Sequence, residues 1–192
     1  TTTTPDNRLW TDRYVLSLTH DRHFDDKTEL VAKVWAGYQD QASRSEAAFV
    51  PPAAPPTSTT LQDEQFRFNG LDARVVHKWA RGNAFTIGTT LYSSDAPFRQ
   101  WTAADLRVDR YDRFGPTCTT AAQKNCDRLR QQRSTDYAAV FAENVFRWGQ
   151  WHLVPSIRLE REKVKIDESV RPPNLTRDLV DREVTHNVPL LG

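Results

Sequence analysis

Methionine is absent from these 192 residues, cysteine occurs twice, and no long apolar run exists. Nothing approaches the roughly 20 consecutive apolar residues of a spanning helix, which excludes a helical membrane protein. A barrel wall stays open, because there only alternate residues need be apolar. An excess of one charge is missing too. Twenty-six Lys and Arg stand against 25 Asp and Glu, a formal net charge of +1, so no global cationic field supports a nucleic-acid partner. The start, Thr1-Thr2-Thr3-Thr4-Pro5, has no initiator and no charged-then-apolar leader, and reads as a mature or excised segment. What remains, 38% hydrophobic and 27% charged residues, is the composition of one ordinary domain.

Catalytic and metal patterns are also lacking. Cys118 and Cys126 lie eight residues apart without His or Cys partners at zinc-site spacing, and a loop disulfide in an oxidising compartment is the preferred reading over free thiols. His20, His23, His77, His152 and His186 supply no closed ligand set, and read as solvated side chains even where Asp21, Asp25 and Asp26 flank the first two. No nucleophile elbow such as Gly-x-Ser-x-Gly occurs. The chain is read as a non-enzyme with no metal and no cofactor.

What is present is period-two alternation in six segments of about ten residues, the signature of transmembrane strands. Tyr14, Leu16 and Leu18 alternate with Arg13, Ser17 and Thr19, Val15 being an exception. Leu30, Ala32, Val34, Ala36 and Tyr38 oppose Glu29, Lys33 and Gln39, with Val31 and Trp35 out of pattern. Leu71, Ala73 and Val75 oppose Asp72, Arg74 and Lys78; Phe85, Ile87 and Leu91 oppose Thr86, Gly88 and Thr90. In the fifth, both Ala138, Val140, Ala142, Phe146 and Tyr137, Ala139, Phe141, Glu143 are candidates for the lipid side. The sixth sets Leu153, Pro155, Ile157 and Leu159 against His152, Ser156, Arg158 and Glu160. Pro155 cannot donate to a ladder and is read as a local bulge near the strand start.

Connections alternate in length. Short links at Asp21–Lys27, Arg81–Asn83 and Gly149–Gln150 exchange with long ones at roughly Ser43–Asp63, Pro97–Ser134 and Val164–Thr185. Soluble domains rarely carry one structureless connection above about 15 residues, whereas outer-membrane barrels have short periplasmic turns and long extracellular loops. Phe24, Trp79, Phe85, Phe146, Trp148 and Trp151 sit near the short turns, as an interfacial girdle would. The alternative is a soluble β-rich ligand-binding module, a sandwich with inserted loops whose aromatics form its core.

Within the loops, Pro51 to Pro56 and Thr57 to Thr60 form a polar, proline-rich run that cannot pack a core. Thr119 to Arg133 is predicted as a short helix capped by Thr119 or Thr120. Arg107, Arg110, Arg113, Arg128, Arg130 and Arg133 cluster in the longest loop. Guanidinium forks suit carboxylate-rich anions, so these six are the ligand-binding candidates. The simpler reading, and the favoured one, is that Asp105, Asp109, Asp112 and Asp127 neutralise them in solvent.

The run from Tyr137 through Phe141, Glu143, Trp148 and Pro155 to Glu160 resembles the barrel hairpin of TonB-dependent outer-membrane receptors, an Ala-x-Phe-x-Glu strand, a tight turn and a Pro-Gly-x-Arg-x-Glu strand. Ser156 stands where that family usually has glycine. Leu18 to Phe24 with Val31 to Tyr38, and Gly82 to Gly88, are similar to the ferric-dicitrate branch. The resemblance implies an all-β antiparallel meander, residues 1–192 being part of a barrel of about 22 strands with no plug domain and no TonB-contacting box. It implies a bacterial outer-membrane location, a lipid surround, a ferric siderophore or similar chelate as ligand, and the TonB complex as partner through the missing plug region. Chelate identity is left open.

Overall fold

A computed structural model of the chain describes residues 7–46, 58–105, 108 and 116–192. Eight strands follow in order: β1 (Arg8–His23), β2 (Thr28–Glu46), β3 (Thr59–Ala80), β4 (Asn83–Ala103), β5 (Cys126–Trp148), β6 (Trp151–Leu153), β7 (Ser156–Val170) and β8 (Asp181–Leu191). They form one antiparallel sheet in the order β1-β2-β3-β4-β5-β7-β8, with β6 also paired to β5. The sheet is an open meander, with β1 and β8 at its edges.

The strands are longer than alternation suggests. β3 and β5 run 22 and 23 residues, more than twice the roughly 9–11 a tilted strand needs to cross a bilayer. The surplus lies at the long-loop end, and the long connections shrink to 47–58, 104–125 and 171–180. The proline-rich run at 51–56 lies outside the described residues.

Short turns gather at the opposite end. Asp25 closes the first, its Oδ1 accepting from the Lys27 and Thr28 amides at 2.8 and 2.7 Å, and these bonds hold its carboxyl below the usual aspartate range. Gly82 (φ 80°) and Gly149 (φ 59°) close the other two, in a left-handed conformation that a side chain disfavours.

Register defines two faces, because directly paired residues project to the same side. One continuous row runs Leu18–Val34–Leu71–Leu91–Ala138, and another Leu30–Val75–Ile87–Ala142–Ile157. Ala138, Val140 and Ala142 therefore join the apolar face, which assigns the two-sided fifth segment. Leu16, Leu18, Val34, Ile87, Leu153 and Ile157 are exposed on this face, and Leu30, Leu71 and Val75 are half-buried. They meet in no core, the outcome a sandwich would require. A contiguous apolar band of this kind belongs against lipid.

Aromatics border the band. Trp148 and Trp151, 84% and 80% exposed, flank the last short turn on the apolar face. Beside them Trp79 meets Phe146 edge-on at 5.8 Å and donates from Nε1 to Asn144 Oδ1 at 3.1 Å. About ten residues above the short turns, one hydrocarbon thickness along a tilted strand, Tyr14 is paired directly with Tyr38 on the same face. This upper border carried no sequence signal beyond the alternation itself.

Pro155 opens a gap in the ladder without making a bulge. Phe146↔Leu153 on one side and Glu143↔Ser156 on the other keep the same register, so no residue is inserted. The Asn144 amide still donates to the Pro155 carbonyl at 3.0 Å; only the return bond, for which proline has no N–H, is missing.

Candidate functional site: the face opposite the apolar band

Each residue between two members of the apolar band projects to the other side, and there the side chains are aromatic, amide or charged. Three cross-strand pairs set its relief. Gly37 faces Phe68, Gly70 faces Trp35, and Gly88 faces Phe141. A Cβ at Gly70 would press into the Trp35 ring and lie 2.9 Å from the Leu91 carbonyl, and one at Gly88 would lie 2.5 Å from Phe141 Cζ. Absent side chains let the rings lie flat along the wall, covering backbone that glycine would leave bare. Trp35, out of pattern in the sequence, is thus the cover of Gly70.

Polar groups fill the spaces between the rings. Tyr137 donates its hydroxyl to Glu160 Oε1 at 2.7 Å, Arg158 Nη2 donates to that hydroxyl at 2.7 Å, and Arg158 also pairs with Glu160. Higher up, the Arg133 guanidinium lies 4.3 Å from the Phe98 ring centroid and reaches Glu64 Oε1 at 3.0 Å and Gln131 Oε1 at 2.8 Å. Arg13 lies 5.5 Å over Phe68. This wall offers fixed donors, acceptors and π-faces, means for non-covalent recognition.

Beyond the band the loop end has a small core of its own. Leu61, Trp101 and Ala103 are buried, with Val108 packed on them. Cys118 and Cys126 are joined by a disulfide with Cα atoms 5.0 Å apart. The Cys118 amide donates to the Asp127 carbonyl at 2.8 Å and the Asp127 amide to the Pro116 carbonyl at 2.7 Å, so residues 116–118 return alongside β5. The helix predicted over 119–133 does not form: Thr120–Ala121–Ala122 is a bend and turn, and from Cys126 the chain is strand. Pairing with β4 outweighs the local preference of Ala, Gln and Leu, as tertiary context commonly does.

Of the six candidate arginines, the three among the described residues are not brought together. Arg107, Arg110 and Arg113 lie outside the described residues. Arg128 is the extra residue where the register steps between Gln100↔Leu129 and Trp101↔Asp127, and it donates to the Ala121 carbonyl. Arg130, on the lipid-side face of the sheet, pairs with fully buried Asp127. Arg133 alone among these three projects to the opposite face. Arg13 and Arg158, which alternation places on the polar face, and Phe68 and Phe98, which it does not mark, are not among the sequence candidates; they reach that face by strand register rather than by clustering along the chain.

One carboxylate fixes the last loop. Glu168, buried at the end of β7, accepts from Arg177 Nη1 and Nη2 at 2.6 and 2.8 Å, from the Val180 amide at 3.0 Å and from Gln131 at 3.2 Å. The Arg177 bonds, over the opposing effect of burial, hold its carboxyl at about 2. Among the described residues no three His, Cys, Asp or Glu side chains converge as a metal site would need.

Comparison with known proteins places these features. The family described as TonB dependent receptor-like, beta-barrel matches residues 1–188. Among solved structures, the ferric citrate transporter FecA in its unliganded form is similar, with a TM-score of 0.66 at 14% identity over 96% of this chain. That match spans 25% of the FecA chain. No curated protein matches by sequence.

Proposed function

From the premise that this chain belongs to the TonB-dependent receptor-like β-barrel family, we propose that residues 1–192 form wall and loops, without plug, of a receptor for energised uptake of a ferric siderophore or similar iron chelate. The observation that carries the membrane part is the exposed apolar face bordered by Trp148 and Trp151 below and by the Tyr14–Tyr38 pair above. Its setting is the bacterial outer membrane, with lipid against the apolar face and ligand on the other. Iron-chelate uptake rests on the likeness to a structure described as a ferric citrate transporter. In this reading a plug region outside these residues couples the wall to the TonB complex. Arg133 is the described candidate that faces the ligand path.

Growth of the producing bacterium on single ferric chelates under iron limitation tests this, with and without the gene. Loss of growth on one chelate, restored by the intact receptor and not by one lacking a TonB-contacting box, is the expected result. Unimpaired growth on every chelate, together with no binding of any by the purified receptor, would discard iron uptake and leave the family assignment standing.

A further inference from the structure

Charge on the lipid side is unevenly placed. On β7, Ile157 and Leu159 end the apolar band, and the next residues on that same face are Arg161, Lys163 and Lys165, three cations at successive outward positions. Register puts Arg161 beside Ala138 and Asn187, Lys163 beside Asp136 and Thr185, and Lys165 beside Ser134 and Glu183. The neighbouring acids are partly engaged. Asp136 accepts from the Ser93 hydroxyl at 2.7 Å, and Glu183 lies 3.0 Å from Lys163. Arg161 and Lys165 are exposed, with no ion-pair partner among the described residues.

Height matters as much as charge. Arg161 stands ten residues above Trp151, and Tyr14 and Tyr38 mark the upper border at the same distance from their own turn. The cations therefore begin where hydrocarbon gives way to headgroups. Immediately below them the wall is recessed. Ala138 is small, and Leu91, Val140, Leu159 and Pro189 surround it to form a shallow, largely apolar depression whose lining also includes Thr89, Asn187 and Arg161. An apolar recess capped by cations matches one kind of partner, an acyl chain leading to a phosphorylated headgroup. A soluble anion would use the cations and leave the recess empty.

The geometry points to a binding site for a phosphorylated lipid of the outer leaflet, with its acyl chain in the recess over Ala138 and its phosphate held by Arg161, Lys163 and Lys165. This site lies on the opposite face from the ligand path and needs only the barrel assignment, so it stands or falls independently of the chelate reading.

The test uses the intact receptor in detergent, titrated with Kdo2-lipid A and with phosphatidylcholine and followed by native mass spectrometry, with inorganic phosphate as competitor. Near-surface cations each contribute about fivefold to attraction of anionic lipid. R161Q/K163Q/K165Q should thus weaken lipid A binding by at least about tenfold and leave phosphatidylcholine binding unchanged. R161K should retain most of it. K33Q, on the opposite face, should have no effect and controls for total charge. Heat-modifiable migration on gels reports that each variant is folded. Equal lipid A binding by wild type and the folded triple variant would overturn the site. Displacement by millimolar inorganic phosphate would overturn the lipid assignment, since the cations would then be holding a soluble anion.

Discussion

Trp35 lies across Gly70, the residue directly opposite it on β3, and occupies the space where a Cβ would stand. Gly70→Ala should therefore destabilise the barrel by about 1–3 kcal/mol, the usual cost of overpacking. Urea unfolding of the intact receptor in phospholipid vesicles, followed by tryptophan fluorescence, measures it. The double variant G70A/W35A should be less destabilised than the sum of the single changes. Additive losses would show that the ring does not depend on the missing side chain.

A charge on the apolar face tests which side meets lipid. Val75→Lys should cost roughly 2–4 kcal/mol near the bilayer midplane. Ser17→Lys, on the opposite face, should cost little. Equal costs in the same vesicle assay would mean that the two faces share one environment.

Much of this arrangement is legible in the amino-acid sequence, and the exceptions have physical causes. Alternation marked the membrane-crossing parts of β1 to β5 and β7 because lipid demands apolar side chains at every second residue there. Above the membrane that demand ends. Gln39-Asp40-Gln41 on β2 and Gln62-Asp63-Glu64 on β3 are polar on both faces, so their strand character comes from pairing and leaves no periodic trace. The fifth segment was ambiguous for a different reason. Its lumen-side Tyr137 and Phe141 are employed in a hydrogen-bonded triad and as the cover of Gly88. Among the described arginines, Arg130 and Arg133 part because an odd spacing along β5 points them to opposite faces, which a count within a window cannot register.

Acid should loosen the loop between β7 and β8. Glu168 is ionised down to about pH 2 when Arg177, Gln131 and the Val180 amide hold it; with the loop detached, its carboxyl returns to about 4.5. A depressed folded-state value means that the stabilisation is complete above about 4.5 and declines as pH falls toward 2. Hydrogen exchange at the Val180 amide, corrected for intrinsic rates, should accelerate through that window. Glu168→Gln should remove the pH dependence and raise exchange at neutral pH. A flat profile in the wild type would disprove the clamp.

The disulfide should govern the return of residues 116–118 along β5. Unreduced receptor should show no thiol reactive toward maleimide at Cys118 or Cys126, and two after reduction. Reduction should expose residues 116–125 to limited proteolysis, since closing a loop of this size contributes on the order of 2–3 kcal/mol of ordering. Unchanged cleavage would assign the hold on residues 116–125 to the backbone pairing with Asp127 instead.

The short turns do not end level with the ladder. Follow one row of partners from His23 through Glu29, Val76, Thr86 and Glu143 to Ser156. β1 stops on that row, whereas the last hairpin continues five residues further, back to Trp151. Five residues of about 3.3 Å against five strand spacings of about 4.8 Å make the strands lean by roughly 35° if the turns share one plane, a slope that barrel walls adopt. Hydrogen-bonded neighbours consequently climb a spiral. The row that begins at Tyr14 arrives at Lys165, yet the level of Tyr14 on β7 lies about five residues lower, around Glu160 and Arg161. Any ring of side chains around a ligand in the lumen would be drawn from several such spirals, so its members would share no ladder rung.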